Sequence, residues 1–311
     1  MKPDQRESRR TNKARMPDSD ALTVMTFNIR YDEDADGPNA WRNRRSVVLE
    51  TIRAHDPDLL GVQEPTAGQW DEIVAALPAL SAFGIAGADA EDGAAHGGFF
   101  RTDRFATIDA GTFWLSETPS EPYSVSWPND FGSRACSWVT LRDRRANAAL
   151  VFASTHLDTN AGAWLPSARV LHAELARIAG DLPIVLVGDF NCAAGSQAHR
   201  YLVGEAGFRD AWSESGNADA GALTFNGFTP ATRLPDDPQA LRRWRDALST
   251  PAGMFAGADR NYRIDWILLR GPLDARAARI DVRTVDGRLP SDHYPVVARI
   301  AFAPPYDRSD G

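Results

Sequence analysis

The sequence predicts an α/β fold in which helices pack outside stacked sheets. Short strand-type segments outnumber helical ones, and the few amphipathic helices fall between strands instead of following each strand in turn. No interior linker interrupts the chain, which predicts one domain over residues 21–304.

The first 20 residues, MKPDQRESRRTNKARMPDSD, contain an arginine pair with no apolar run behind it. They read as a disordered leader and as neither a secretory nor a twin-arginine signal. From Leu22 to Ile29 the segment LTVMTFNI is β-branched and aromatic-rich, and it passes into a polar loop holding Gly37 and Pro38. A strand therefore delivers Asn28 near its end. WRNRRSVVLETIRAH spaces Trp41, Arg45, Val48, Leu49 and Ile52 at helical intervals, and PDLLGVQEP follows as a short apolar strand ending in Gln63 and Glu64 before Pro65.

The middle of the chain runs through GGFFRTDRF, GTFWLSETP, ACSWVTLRD and NAALVFASTHLD, alternating segments broken by Gly, Pro, Asp and Asn. This is the pattern of an antiparallel sheet. A helix is expected over Pro166 to Ala179. LPIVLVGDFN then reads as a strand buried on both faces, with Asp189 and Asn191 just past its end. A loop-like stretch from Gly227 to Asn261 carries one helical piece around QALRRWRDAL. The strand RIDWILL, a turn at Asp286-Gly287 and SDHYPVVARI complete the pattern before a tail at 305–311.

A hydrophobic content of 43%, with nine Trp and 14 Phe, supports a large core. The formal net charge of −8 argues against a protein whose affinity comes mainly from neutralising a nucleic-acid backbone. Cys136 and Cys192 sit in no CxxC or Cys/His cluster, so neither a disulfide framework nor a thiolate zinc site is indicated, and a reducing, cytoplasmic location is expected. No apolar run approaches the roughly 18 residues that a membrane span needs.

Polar groups recur where the apolar strands end: Asn28, Glu64, His156 in STHLD, Asp189 and Asn191 in GDFN, and Asp292 and His293 in SDH. Strand ends are rigid places on which to build a site. The groups are oxygen donors and imidazoles without a thiolate, a donor set that suits Mg²⁺ or Mn²⁺. Such an ion favours attack of water on a phosphoester.

The ordered set TFNIR, GVQE, STHLD, GDFN, RIDWILL and PSDHYPV resembles the endonuclease/exonuclease/phosphatase superfamily, over Leu22 to Ala303. WRNRR, GTFWLSETP, Ser137-Trp138 and THLD look like its bacterial branch related to deadenylase-type domains. The resemblance implies a four-layer α/β sandwich of two mixed, mainly antiparallel sheets with helices on the outer faces. It implies Glu64 as principal metal ligand, assisted by Asn28 and Asp292. It further implies that Asp189 and Asn191 align the attacking water, that His156 donates to a phosphoryl oxygen, and that His293 sits at the phosphorus with its tautomer set by Asp265. Asp189 and His293 both stand as candidate bases. The family usually has a proline soon after its Gly-Asp-Phe-Asn motif, whereas Cys192-Ala-Ala-Gly-Ser follows here.

The expected activity is hydrolysis of a small or terminal phosphomonoester or phosphodiester. The alternatives are a nuclease on DNA or RNA and a binding protein that has lost turnover. Each residue also has a plainer reading. Asn28 alone caps a loop, while Glu64 before a proline and Asp189 after a glycine are ordinary turn residues. His55, His172 and His199 read as surface or packing residues. His96, Trp114 and Arg134 are the substrate-binding candidates, with Arg134 the best phosphate ligand among Arg42, Arg44, Arg45 and Arg134.

Overall fold

In the computed structural model, the described residues are 20–85, 96–219, 221–229, 239 and 262–303. The expected leader and tail, and nearly all of the 227–261 stretch, lie outside them.

The first sheet contains β1 (Leu22–Asn28), β2 (Leu59–Gln63), β3 (Leu80–Ile85), β4 (His96–Arg101), β11 (Leu273–Ile280) and β12 (Val296–Phe302). Its strand order is β11-β12-β1-β2-β4-β3. The second contains β5 (Phe105–Trp114), β6 (Ala135–Asp143), β7 (Ala148–His156), β8 (Ile184–Asp189), β9 (Arg209–Asp210) and β10 (Asp265–Arg270), in the order β5-β6-β7-β8-β10-β9. Each sheet has one parallel pair near its centre, β1 with β2 and β7 with β8, and every other pairing is antiparallel. A parallel pair needs a crossover. Helices α1 (Trp41–His55) and α3 (Ala161–Ala179) supply the two crossovers. The remaining helices are α2 (Ala67–Ala76), α4 (Gln197–Val203) and the short α5 (Ala211–Glu214).

Strand alternation sorts side chains into layers. Leu22 and Val24 of β1 pack between the sheets with Leu59, Phe152, Val185, Val187 and Ile267. Met25 and Phe27 point the other way, against Trp41, Val48 and Ile52 of α1 and Ile73 of α2. On the opposite outer face Val151, Leu186 and Leu268 meet Leu171 and Leu175 of α3 and Leu202 of α4. The result is helix, sheet, sheet, helix, the four-layer sandwich expected from the sequence.

Three local differences have physical causes. The α1 stripe buries Arg44 where the sequence pattern has Arg45, because Arg44 donates to the carbonyls of Ile29, Arg30, Tyr31, Asn39 and Pro290. Helix α3 begins at Ala161, ahead of Pro166, because the Asn160 side chain accepts from Gly162 N (3.0 Å) and caps an earlier turn. Helix α2 has no counterpart among the expected elements. Its signal is a capping box in which Thr66 and Gln69 satisfy each other's backbone N–H groups.

The sheets approach closely near the strand ends. A Cβ on Gly61 of β2 would lie 2.3 Å from Val187 Cγ2 of β8, so only glycine fits there. Beside it, Thr26 donates to Gln63 Oε1 (3.2 Å) and Gln63 Nε2 donates to Ser154 Oγ (3.1 Å), a buried polar bridge from one sheet to the other.

Candidate active site

Both parallel pairs end at the same edge of the sandwich, and strand ends of this kind are where α/β sheets place ligands. In the first sheet Asn28 pairs with Gln63, so Glu64 follows directly beside Asn28. In the second, His156 pairs with Asp189, and Asp189 pairs with Asp265 at the start of β10. Because β12 runs antiparallel to β1 and begins opposite Thr26, the preceding Asp292 and His293 arrive at the same edge.

Asp189 is the hub. Its Oδ2 accepts from Asn28 Nδ2 (2.9 Å) and lies 3.4 Å from His156 Nε2 and 3.6 Å from His293 Nε2. Its Oδ1 accepts from the backbone N–H of Asn191 (2.9 Å). Burial alone would raise the Asp189 carboxyl, but His293, His156 and Asn28 outweigh it and hold the group well below the ordinary carboxylate range. Asn28 Nδ2 also donates to Glu64 Oε1 (2.9 Å), while Asn28 Oδ1 accepts from Arg30 N (3.0 Å). Asn28 thus braces two carboxylates with its amide nitrogen and keeps its oxygen for the backbone. Glu64 has φ +65° and Asn191 φ +50°, left-handed conformations that side chains rarely adopt and that cluster at functional sites.

His293 Nδ1 lies 2.9 Å from Asp265 Oδ2. Burial disfavours the charged ring, but Asp265, Asp189 and Asp292 outweigh it and raise His293 to about 10. Asp265 Oδ1 is buried without a hydrogen-bond partner among the described residues. Asp292 is raised to about 6 by burial and by the charge of Glu64, against the opposing pull of His293 and Arg30. Burial alone would raise Glu64, but His156, the Asn28 amide, His293 and Arg30 together hold it below its ordinary value. The Glu64 and Asp292 carboxylates offer the hard oxygen donors that suit a divalent cation. Ligand atoms of Glu64, His156 and Asp189 lie within 4.8 Å of one another, as do those of Asp189, Asp265 and His293.

Asn28, Glu64, His156, Asp189, Asn191, Asp265, Asp292 and His293 therefore occupy one edge of the sandwich. The three substrate-binding candidates are placed differently. Trp114 is 8% exposed and packs against Tyr123, with ring centroids 5.5 Å apart. His96 opens β4 with its backbone paired to Ile85. Arg134 lies against His156, with Nη1 3.1 Å from Nδ1, and against Asp158 at 3.5 Å. Arg42 pairs with Asp34 and Arg45 with Glu72.

Other contributors were not among the expected site residues, although Arg30 closes TFNIR and Ser291 lies in PSDHYPV. Arg30 forks onto Asp36 (3.0 and 3.1 Å), lies 3.9 Å from Asp292 and stacks on Tyr31. The Ser291 hydroxyl donates to the Asn28 carbonyl (2.8 Å), tying the SDH loop to β1. Asn226 and Gly227 donate their N–H groups to the Asp292 carbonyl (2.7 and 3.0 Å), so the stretch leading into residues 230–261 starts at the site.

The model of the "Endonuclease/Exonuclease/phosphatase family" matches this chain over residues 25–293. The chain belongs to that family. A solved family member from Bacteroides thetaiotaomicron superposes with a TM-score of 0.75 at 27% identity, covering 91% of this chain and 98% of that one. A mannosyl-6-phosphatase of the same organism gives 0.74 at 26%, covering 90% and 100%. A curated relative, the CCR4-Not complex 3'-5'-exoribonuclease subunit Ccr4 of Emericella nidulans, is 24% identical over 168 residues, which is 44% of this chain. The match spans only 24% of that relative's length. Family members are hydrolases acting on phosphoester bonds. Among the described residues no helix is long and apolar enough to cross a membrane.

Proposed function

We propose that this chain is a divalent-metal-dependent phosphoesterase acting on a small or terminal phosphate ester, with Mg²⁺ or Mn²⁺ as its ion. The observation that supports this most is Asp189 held between two imidazoles, beside the Glu64 and Asp292 carboxylates, at one edge of the sandwich. Glu64 and Asp292 would hold the ion, and Asn28 positions Glu64 through its amide. A bound ion of this kind polarises a phosphoryl oxygen and offsets charge on the leaving group.

The residues divide the remaining work by their electrostatics. Asp189, ionised at neutral pH, is the acceptor that orients an attacking water, and Asn191 holds its second oxygen in place. His293, raised to about 10 by its neighbouring carboxylates in the metal-free protein, is placed to donate toward phosphoryl oxygen, with Asp265 fixing its ring. His156 is the second donor. No covalent enzyme intermediate is required, because preorganised charge supplies most of the rate in phosphoryl transfer.

The likeness to a mannosyl-6-phosphatase over essentially its whole length, together with the net charge of −8, favours a sugar phosphate as substrate. The match to an exoribonuclease subunit supports a nuclease as the second reading.

Chelator-treated protein should be assayed with Mg²⁺ or Mn²⁺ against hexose phosphates, bis-p-nitrophenyl phosphate and oligonucleotides. We expect turnover of a hexose phosphate that disappears with chelator and returns with the ion. Glu64→Ala, His156→Ala and His293→Ala should each lower kcat/KM by about 100-fold or more, while His172→Ala stays within about twofold. Inactivity throughout, with no ion binding by calorimetry, overturns the reading.

A further inference from the structure

We propose that Arg134 is a positioning residue that places the ring proton of His156 on Nε2, where it faces the reaction site. The argument begins with two donors on one imidazole. Arg134 Nη1 lies 3.1 Å from His156 Nδ1, and Asn191 Nδ2 lies 3.0 Å from His156 Nε2. A guanidinium and an amide nitrogen both donate and neither accepts. An imidazole carrying one proton accepts at one nitrogen only, so the ring satisfies Arg134 or Asn191 but not both. A ring protonated on both nitrogens satisfies neither.

The two choices have opposite consequences. Accepting from Arg134 leaves an N–H on Nε2, directed toward Asp189 Oδ2 at 3.4 Å and Glu64 Oε1 at 4.0 Å, the side from which a phosphoryl oxygen is reached. Accepting from Asn191 strips Nε2 of its proton and turns Nδ1–H against a cation.

Three features decide for Arg134. A hydrogen bond from a charged donor is about twice as strong as a neutral one. Asn191 Nδ2 has another acceptor in the Leu157 carbonyl, at 2.7 Å. Arg134 is also anchored. Its Nε lies 3.5 Å from Asp158 Oδ2, and its guanidinium lies 5.6 Å from the Phe131 ring. Asp158, buried two residues after His156, accepts the backbone N–H groups of Asp130 (2.8 Å), Phe131 (3.1 Å) and Asn160 (2.8 Å), which fixes the loop that carries Arg134. His293 is the contrasting case. Its Nδ1 faces a carboxylate, which only accepts, so Nδ1 keeps its proton there.

The test uses the full chain with ¹⁵N-labelled histidine, His156 being assigned by the signal lost in His156→Gln. Nitrogen shifts report the tautomer directly and need no turnover, so this arm stands apart from the phosphoesterase reading on which the kinetic arm rests. The expected results are Nε2–H in the unsubstituted protein, Nδ1–H in Arg134→Met, and Nε2–H regained in Arg134→Lys. On a substrate that is turned over, Arg134→Met should lower kcat about 100-fold with KM within about twofold, and Arg134→Lys should recover most of the loss. If Arg134→Met does not fold, the unsubstituted protein and the lysine variant still decide. A proton on Nδ1 in the unsubstituted protein, or a tautomer indifferent to Arg134→Met, overturns the proposal. So does a rise in KM at constant kcat, which would make Arg134 a phosphate ligand instead.

Discussion

His293 lies among three carboxylates, and its protonation follows from them more than from its burial. Its folded value of about 10 stands above the ordinary 6.5, so this interaction stabilises the fold fully below the ordinary value and is lost as pH rises through about 10. In the metal-free protein an NMR titration should find the ring protonated at neutral pH, and Asp265→Asn should lower its midpoint by about one unit or more. A midpoint near 6.5 in the unsubstituted protein would refute the assignment. A His–Asp pair is not diagnostic by itself. His55 pairs with Asp281 at 2.6 Å and His199 with Asp210 at 3.0 Å, and neither joins the cluster. The motifs SDH and RIDWILL name His293 and Asp265 from the sequence, but their contact, 28 positions apart, depends on the chain between them.

At the level of strands and helices, the site depends on how closely the two sheets approach. Gly61 allows Val187 to sit where a side chain would be, and Gln63, the register partner of Asn28, bridges to Ser154. Gly61→Ala should destabilise the chain by about 1–3 kcal/mol through overpacking, read by denaturant unfolding, with a parallel loss of activity as the sheets part. An unchanged midpoint would mean that the sheets yield more easily than their packing suggests. The expected strands and α1 were legible because burial on one or both faces writes a period into the sequence. Helix α2 was missed because its signal is a cap, Thr66 with Gln69, and only Gln69, Trp70 and Ile73 are buried within it. The exchange of Arg45 for Arg44 has a related cause: five backbone carbonyls create a polar well that hydropathy does not encode.

Across the whole molecule, one end of the sandwich carries chemistry and the other carries structure. At the end away from the site, buried Arg104 donates to Asp143 Oδ2 (3.0 and 2.9 Å), lies 3.1 Å from Asp58 Oδ2, and donates to the carbonyls of Asp20 and Ala21. This one side chain ties the entry to the first sheet to the end of β6 in the second. Arg104→Met leaves the wholly buried Asp143 without its cation and should cost about 3–5 kcal/mol in unfolding free energy. The fraction that stays folded should keep its kcat/KM. A large drop in kcat/KM with normal stability would show that the two ends are coupled.

The sequence by itself determined the layered α/β class, the ends of the central strands and the acidic and imidazole groups that stand there. Local periodicity and short motifs act within a few residues of each side chain, and these features are local. The tertiary structure decided the contacts: Asp189 as the hub, Asn28 turned to brace two carboxylates, Trp114 buried, and Arg134 on His156 Nδ1. Each of these joins segments distant along the chain, from 22 residues for Arg134 and His156 to 161 for Asn28 and Asp189. Pairing between strands sets such distances, and it is a property of the folded sheets that no single segment carries.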